Sequence, residues 1–306
     1  MTATVLANGE GGVGMGEAIG ALSKGRSALD AVEAGIRVAE RDPSVRSVGV
    51  GGAPNILGEM ECDAAIMCGS TLRAGSVGAL KQYVNAVSVA RHVMERTPHV
   101  MIVGEGALRL AREMGAEPGN LLTDEAHADY HEWLSDHVPL EVMASWPDVP
   151  LASLVAPPAA GKEPRGTVAF LARRSDGEMA GGVSTSGWAY KYPGRLSDSC
   201  IIGAGLYVDD RYGGAACTHT GEMIIRAGLA RAVVTYMKKG ASSEDACREA
   251  FDDLRSLKGG ITGPVIIHAL DRAGNPFVLT TGNDGGIPYW FWREGMSRPE
   301  RLKPTQ

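Results

Sequence analysis

Three groups of residues in this chain have types and spacings that bear on chemistry. The first is the glycine cluster in "NGEGGVGMGEA", where Gly9, Gly11 and Gly14 fit a G-x-G-x-x-G pattern between a short apolar stretch and a helical one. Such a turn can seat a dinucleotide pyrophosphate on a helix N-terminus, if a second strand ending in an acidic residue follows about 20 positions on. Here that window holds the helical pattern "SALDAVEAG", and a chain with 41 glycines produces the pattern by chance. The glycines read as a tight, permissive turn, which sets a nucleotide-dependent oxidoreductase aside. The second group is "HADYH", with His127 and His131 one helical turn apart, Asp129 between them and His137 beyond. Two imidazoles at i and i+4 can share a metal. No further ligand follows at a recognisable spacing, and a polar helix suits solvated histidines, so no metal is expected.

The third group runs from "RGTVAFLARRSDGEMAGGVSTSG" through "PGRLSDSC" to "GAACTHTGEM", rich in hydroxyls and small residues, with Arg195 and Asp198 as its charged pair. Threonine is a poor nucleophile at neutral pH and needs an adjacent base. A cut before Thr167 would create one, because the new α-amino group has a reference pKa of about 7.7–8.0 and lies beside its own Oγ. The sequence changes abruptly at that point. The Pro-, Ala- and Gly-rich "APPAAGKEPRG" gives way without a ramp to the apolar "TVAFLA". By residue type alone, a threonine opening a strand also reads as plain β-propensity, and both readings stand at this stage.

The elements that must position these residues alternate between strand and helix. Val5–Ala7 is a short strand candidate. In "SALDAVEAGIRVAERD", Ser27 is an N-cap with Asp30 three residues on, and Leu29, Val32, Ile36 and Ala39 share one face. "SVGVGG" and "CDAAIMCG" read as short strands, and helices are expected near 83–95, 107–115 and 123–135, with "VMIV" a strand between the first two. From about 139 to 166, six prolines and no periodicity mark a linker. Strands resume at 167–172 and 179–184 around a turn at Asp176-Gly177. A glycine-rich loop region then leads to helices at about 221–238 and 242–257, a hairpin in "PVIIHALDRAGNPFVLTTG" and a last strand in "IPYWFW".

Composition bounds the partners. The chain has 306 residues, a formal net charge of −6 and 44% hydrophobic residues, which suits an ordinary globular protein and argues against nucleic acid or an anionic membrane. No apolar run reaches the roughly 18 residues of a membrane span, and the N-terminus lacks the pattern of a secretory signal. Five scattered cysteines with no C-x-x-C pair suit a reduced, cytoplasmic setting.

Beyond single motifs, the chain resembles the glycosylasparaginases and, more broadly, the asparaginase group of N-terminal-nucleophile hydrolases. The resemblance rests on "SALDAVEAG", "DAAIMCGSTLRAGSVGAL", "NAVSVARHVMERTPHVMIVGEGA", "GTVAF", "GGVSTSG", "PGRLSDS", "IGAGLYVDD" and "GAACTHTGE", in that order over nearly the whole chain. It implies an α+β fold, a four-layer αββα sandwich, built from a precursor that cuts itself. Residues 1–166 would form an α subunit ending in the linker and 167–306 a β subunit, together one structural domain, with αβ units pairing into dimers. By the same resemblance Thr167 is the nucleophile and new N-terminus, and Thr185 orients it. Arg195 grips the α-carboxylate of a small amino-acid-derived amide, and Asp198 receives its α-ammonium. Thr218 supplies the hydroxyl of an oxyanion hole, with the amide of residue 219 as its partner just before a helix. Without the resemblance, Arg195 and Asp198 would read as a surface ion pair. The implied reaction is acyl transfer through a β-aspartyl ester on Thr167, with no metal or organic cofactor.

Several positions depart from the resemblance. "ANGEGGVG" lacks the tryptophan that usually lines the pocket, and Ala53 stands where serine is usual. His219 replaces the glycine after the oxyanion threonine, and acts either as a pocket residue or as a helix cap. Gly166 precedes Thr167 where glycosylasparaginases carry aspartate, a Gly-Thr junction like that of plant-type asparaginases and isoaspartyl peptidases. The alternatives are therefore a plain asparaginase or isoaspartyl peptidase, a relative acting on another N-substituted amide, and an unprocessed, non-catalytic amino-acid-binding protein.

Overall fold

The computed structural model describes residues 2–155, 166–282 and 287–306. Its strands are Thr4–Ala7 (β1), Cys62–Cys68 (β2), Ala74–Leu80 (β3), Met101–Val103 (β4), Val168–Arg173 (β5), Met179–Thr185 (β6), Leu206–Asp209 (β7), Gly213–His219 (β8), Val265–Asp271 (β9), Pro276–Thr280 (β10), Tyr289–Arg293 (β11) and Glu300–Leu302 (β12). The helices are Met15–Ser23 (α1), Ala28–Arg41 (α2), Ala86–Arg96 (α3), Gly104–Glu113 (α4), Asp124–His137 (α5), Leu140–Met143 (α6), Gly221–Ala227 (α7), Leu229–Lys238 (α8) and Ser243–Arg255 (α9). Eight strands form one sheet in the order β12-β11-β1-β5-β6-β2-β3-β4, and four form a second in the order β10-β9-β8-β7. All neighbours are antiparallel except β3 and β4.

Every residue of β5 and β6 is buried, as a strand covered on both faces requires. Side chains alternate across a strand, so β5 serves two cores. Val168, Phe170 and Ala172 pack with Val32 and Ile36 of α2, while Ala169 and Leu171 pack with Leu206, Val208, Ala216 and Ile266 of the smaller sheet. A third core joins Val233 and Ala250, from α8 and α9, to Cys217 and Ile267 on the far face of that sheet. Burying a side chain such as Leu171 or Phe170 stabilises by about 1.5–3 kcal/mol each. Helix α2 begins where the sequence says it should, with Ser27 and Asp30 capping each other's backbone N–H groups.

Four expectations are corrected by the structure. The segment 47–52 is a series of turns rather than a strand, because Gly49 and Gly51 take φ of 57° and 81°. The helix expected over 221–238 is two helices, broken where Gly228 adopts a left-handed conformation with φ of 57°. The glycine-rich region expected as loop contains β7 and β8. Small residues there are demanded by close packing of the sheets, since a methyl on Gly214 would meet Leu171 and Val208 at 3.2 Å. The linker carries the short helix α6 and turns up to residue 155, and its part over 156–165 lies outside the described residues. Among the described residues no helix is long and apolar enough to cross a membrane. All five cysteines are free thiols.

Candidate active site

The start of β5 is tied to the N-terminal segment across a long sequence separation. Asn8 follows β1, and its side chain donates to the Thr167 carbonyl while its Oδ1 accepts the Ala169 N–H at 3.0 Å. These bonds hold Thr167 buried, 4% exposed, at the head of β5. Thr185 closes β6 on the adjacent strand. Its Oγ1 donates to the Gly166 carbonyl at 2.8 Å and accepts the Gly187 N–H at 2.9 Å. The Ser47 carbonyl is a second, longer acceptor for that hydroxyl at 3.3 Å, so the carbonyl of the Gly166–Thr167 peptide is its nearer partner.

Glu10 stands beside the same peptide. Ser47 Oγ donates to its Oε2 at 2.6 Å, and the Thr167 backbone N–H and the Asn8 side chain also stabilise the anion. Burial outweighs those bonds and lifts its pKa from 4.5 to about 7. Ser47 is delivered by the 47–52 turns, and its carbonyl accepts a hydrogen bond from Ser186 Oγ at 3.0 Å.

The charged end lies in the loop after β6 and in the turn of 3-10 helix over Asp198–Cys200. The side chain of Arg195 is 15% exposed, and it forms a forked ion pair with Glu222 at the start of α7, at 2.7 and 2.9 Å from Nη2 and 3.0 Å from Nε. Its guanidinium also lies 4.5 Å from the ring centre of Trp188. Arg195 and Asp198 therefore do not form the surface pair that their spacing alone allowed. Asp198 is 2% exposed, and its Oδ2 has no hydrogen-bond partner among the described residues. Burial raises its pKa to about 7 even though Arg195 opposes the shift. A buried, unsatisfied carboxylate oxygen beside an arginine is ready to receive a cationic donor. Gly221 is required by this crowding, since a methyl there would sit 2.7 Å from Asp198 Oδ1 and 3.2 Å from Arg195 Nη2. Asp63 of β2 braces the loop, accepting Ser197 N–H at 2.7 Å and Ala79 N–H at 2.8 Å while pairing with Thr185 in the sheet.

Thr218 and His219 end β8, just ahead of Gly221. Thr218 Oγ1 lies 3.0 Å from His219 Nδ1, and His219 takes φ of 88°, a backbone state that glycine adopts more readily. The expected hydroxyl, the backbone N–H after it and the start of α7 are thus contiguous. The two weaker motifs fall on a turn and on an exposed helix face. Gly9, Gly11 and Gly14 belong to a tight 3-10 turn over Glu10–Gly14 and its cap. His127 and His131 touch each other through Nε2 atoms at 3.1 Å on the exposed face of α5. Among the described residues no cluster of three or more histidine, cysteine, aspartate or glutamate side chains could hold a metal ion.

Sequence reasoning placed Thr167, Thr185, Arg195, Asp198, Thr218 and His219, and contacts link most of them into one neighbourhood. It missed Asn8, Glu10, Ser47, Asp63, Trp188 and Glu222. Glu10 was visible inside the glycine cluster, and Glu222 inside "THTGE", but no local pattern gave either a partner. Ala53 is buried in the loop leading to β2.

Comparison with known proteins adds an independent finding. The family model described as Asparaginase matches residues 14–284. The chain is 42% identical over 236 residues to the N(4)-(Beta-N-acetylglucosaminyl)-L-asparaginase of Elizabethkingia miricola, covering 77% of this chain and 64% of that protein. It is 38% identical over 281 residues to the Plant-type L-asparaginase of Pyrococcus horikoshii, covering 91% of this chain and 87% of that one. It is 36% identical over 249 residues to the Isoaspartyl peptidase/L-asparaginase of Mus musculus, covering 81% and 71%.

Proposed function

The chain belongs to the asparaginase family, and on that premise we propose that it is a self-cleaving hydrolase of side-chain amides of L-aspartate, working through an N-terminal threonine. The observation that carries this reading is the junction. Thr167 is buried at the head of a core strand, and Thr185 Oγ1 donates to the carbonyl just before it at 2.8 Å. Cleavage there gives Thr167 an α-amine that serves as base for its own Oγ. Helices on the outer faces of two packed sheets agree with the four-layer αββα sandwich of such hydrolases. In this reading residues 1–166 and 167–306 are two subunits of one domain, and αβ units pair into a dimer.

In turnover, Thr167 Oγ attacks the side-chain amide carbon and the α-amine carries its proton to the leaving nitrogen. Arg195 exchanges Glu222 for the substrate α-carboxylate, which offers the same forked geometry. Asp198 Oδ2 accepts the α-ammonium. Thr218 Oγ1 and the residue 219 N–H stabilise the oxyanion, a contribution of about 2.7–4 kcal/mol per donor. Water then hydrolyses the β-aspartyl ester. The amide is either substituted at its nitrogen, as the name of the Elizabethkingia relative indicates for that protein, or unsubstituted. Gly166 before Thr167, a junction like that of plant-type asparaginases and isoaspartyl peptidases, favours an unsubstituted amide or a β-aspartyl peptide over a glycosylated one. The setting is a cytoplasmic one, with neither nucleic acid nor membrane as partner.

Intact-mass analysis of incubated protein tests the cleavage, with fragments of 166 and 140 residues expected (306 − 166 = 140). An amide panel of asparagine, N4-glycosylated asparagine and a β-aspartyl dipeptide separates the substrates. A chain that stays whole and turns over none of the three, yet binds aspartate, is the amino-acid-binding protein instead.

A further inference from the structure

We propose that Glu10 is the acid–base residue of the self-cleavage step, moving the proton from Thr167 Oγ to the Thr167 nitrogen. This rests on the reading of Thr167 as nucleophile and adds the group that the junction itself lacks, since Gly166 has no side chain. A methyl built on Gly166 would fall 2.4 and 2.5 Å from the two Glu10 oxygens and 2.7 Å from the carboxyl carbon. The Glu10 carboxyl therefore fills the space that a side chain at position 166 would enter. It comes from the turn after β1, and its place is fixed by Ser47 Oγ at 2.6 Å, while the Thr167 N–H, which belongs to the bond to be broken, favours its anion.

The steps balance with water as the only co-reactant. The Glu10 carboxylate takes the Oγ proton as Oγ bonds to the Gly166 carbonyl carbon, and the resulting oxyanion is held by Thr185 Oγ1. As the C–N bond breaks, its electron pair leaves on nitrogen and Glu10 returns the proton there, giving a neutral amine. Water then hydrolyses the Gly166 ester, restoring the threonine hydroxyl and leaving a Gly166 carboxylate with one proton released to solvent. The groups that set the titration of Glu10 are Ser47, Asn8 and the Thr167 amide, all uncharged, and burial lifts it to about 7. A group titrating near neutrality suits both halves of the transfer.

The test uses the full chain made in a cell-free reaction and shifted into buffers from about pH 5 to 9, with cleavage followed by intact mass. The wild-type rate should rise through about pH 7 and then level. Glu10→Gln, with an unchanged thermal melt, should slow cleavage by about 100-fold or more and flatten that profile. In a Glu10→Ala background, Gly166→Asp should restore cleavage by returning a carboxylate to the same space. Glu10→Gln cleaving within about twofold of wild type, with the same pH profile, overturns the role of Glu10 and leaves Thr167 as nucleophile. A wild-type chain that is never cut at Thr167 overturns both.

Discussion

Two carboxyl groups lie against neighbouring residues of strand β6, and burial raises both, but their partners differ. Ser184 and Thr185 are neighbours on β6, so their side chains point to opposite faces. On one face Ser184 Oγ donates at 2.7 Å to Glu40, whose oxygens also take the Val87 N–H at 3.0 Å and the Asn85 amide at 3.2 Å. On the other face Thr185 meets the Gly166 carbonyl, with Glu10 alongside the same peptide. Burial raises both glutamates from 4.5 to about 7. A perturbed pKa therefore identifies a buried carboxyl and does not by itself identify a catalytic one. What separates them is what they face. Glu40 is enclosed by permanent donors that join α2, α3 and β6, whereas one donor to Glu10 is the amide of the junction. The two are also connected, because the Glu40 backbone carbonyl accepts the Val50 N–H at 2.8 Å in the turns that deliver Ser47.

The largest effect expected from this contrast is at the junction. Thr167→Ala should give a folded chain with no detectable cleavage or amide hydrolysis; residual cleavage at that bond would remove the hydroxyl from the reaction. Next, the two neighbours on β6 should part company. Thr185→Ala should slow cleavage by about 10²–10³-fold through loss of the donor to Gly166. Ser184→Ala should cut at the normal rate and lose about 1–3 kcal/mol of stability in denaturant melts, because Glu40 loses a partner. If both variants behaved alike, the contrast would fail.

Acidity gives two subtler tests. Burial raises Asp198 to about 7, and only its anion matches an α-ammonium. KM for an asparagine-type amide should therefore rise about tenfold per unit as the pH falls below 7, and Asp198→Asn should abolish that dependence. Stability should follow the opposite sense. Glu10 and Glu40 hold protons more tightly folded than unfolded, so their contribution is complete below about 4.5 and is lost as the pH rises through about 7. Thermal melts across that range should fall with rising pH, and Glu40→Gln should flatten the fall. The smallest effect belongs to His219. His219→Gly relieves its φ of 88°, worth about 1–3 kcal/mol, and should alter the ratio of activity on substituted and unsubstituted amides. An unchanged ratio places His219 outside the pocket.

How much of this was legible in the sequence depends on distance along the chain. The strand behind the linker was legible because "VAFLA" is a dense apolar run with turn residues on either side, and α2 because Ser27 and Asp30 cap it locally. The junction hydroxyls and the Arg195–Asp198 pair were legible through motif order. The partners of those residues were not. Asn8 meets Thr167 across 159 positions, and Ser47 meets Glu10 across 37, so no window of sequence holds both members of a pair. Strands β7 and β8 escaped for another reason. Their glycines and alanines answer to the close approach of two sheets, whereas β-propensity records larger branched and aromatic residues.

On the proposed function, the Gly166–Thr167 bond is the one this protein opens in itself. N-terminal sequencing of wild-type chain incubated at neutral pH tests it most directly. A second N-terminus reading Thr-Val-Ala-Phe-Leu should appear in step with amidase activity and be absent from Thr167→Ala. A single original N-terminus in fully active protein would contradict it.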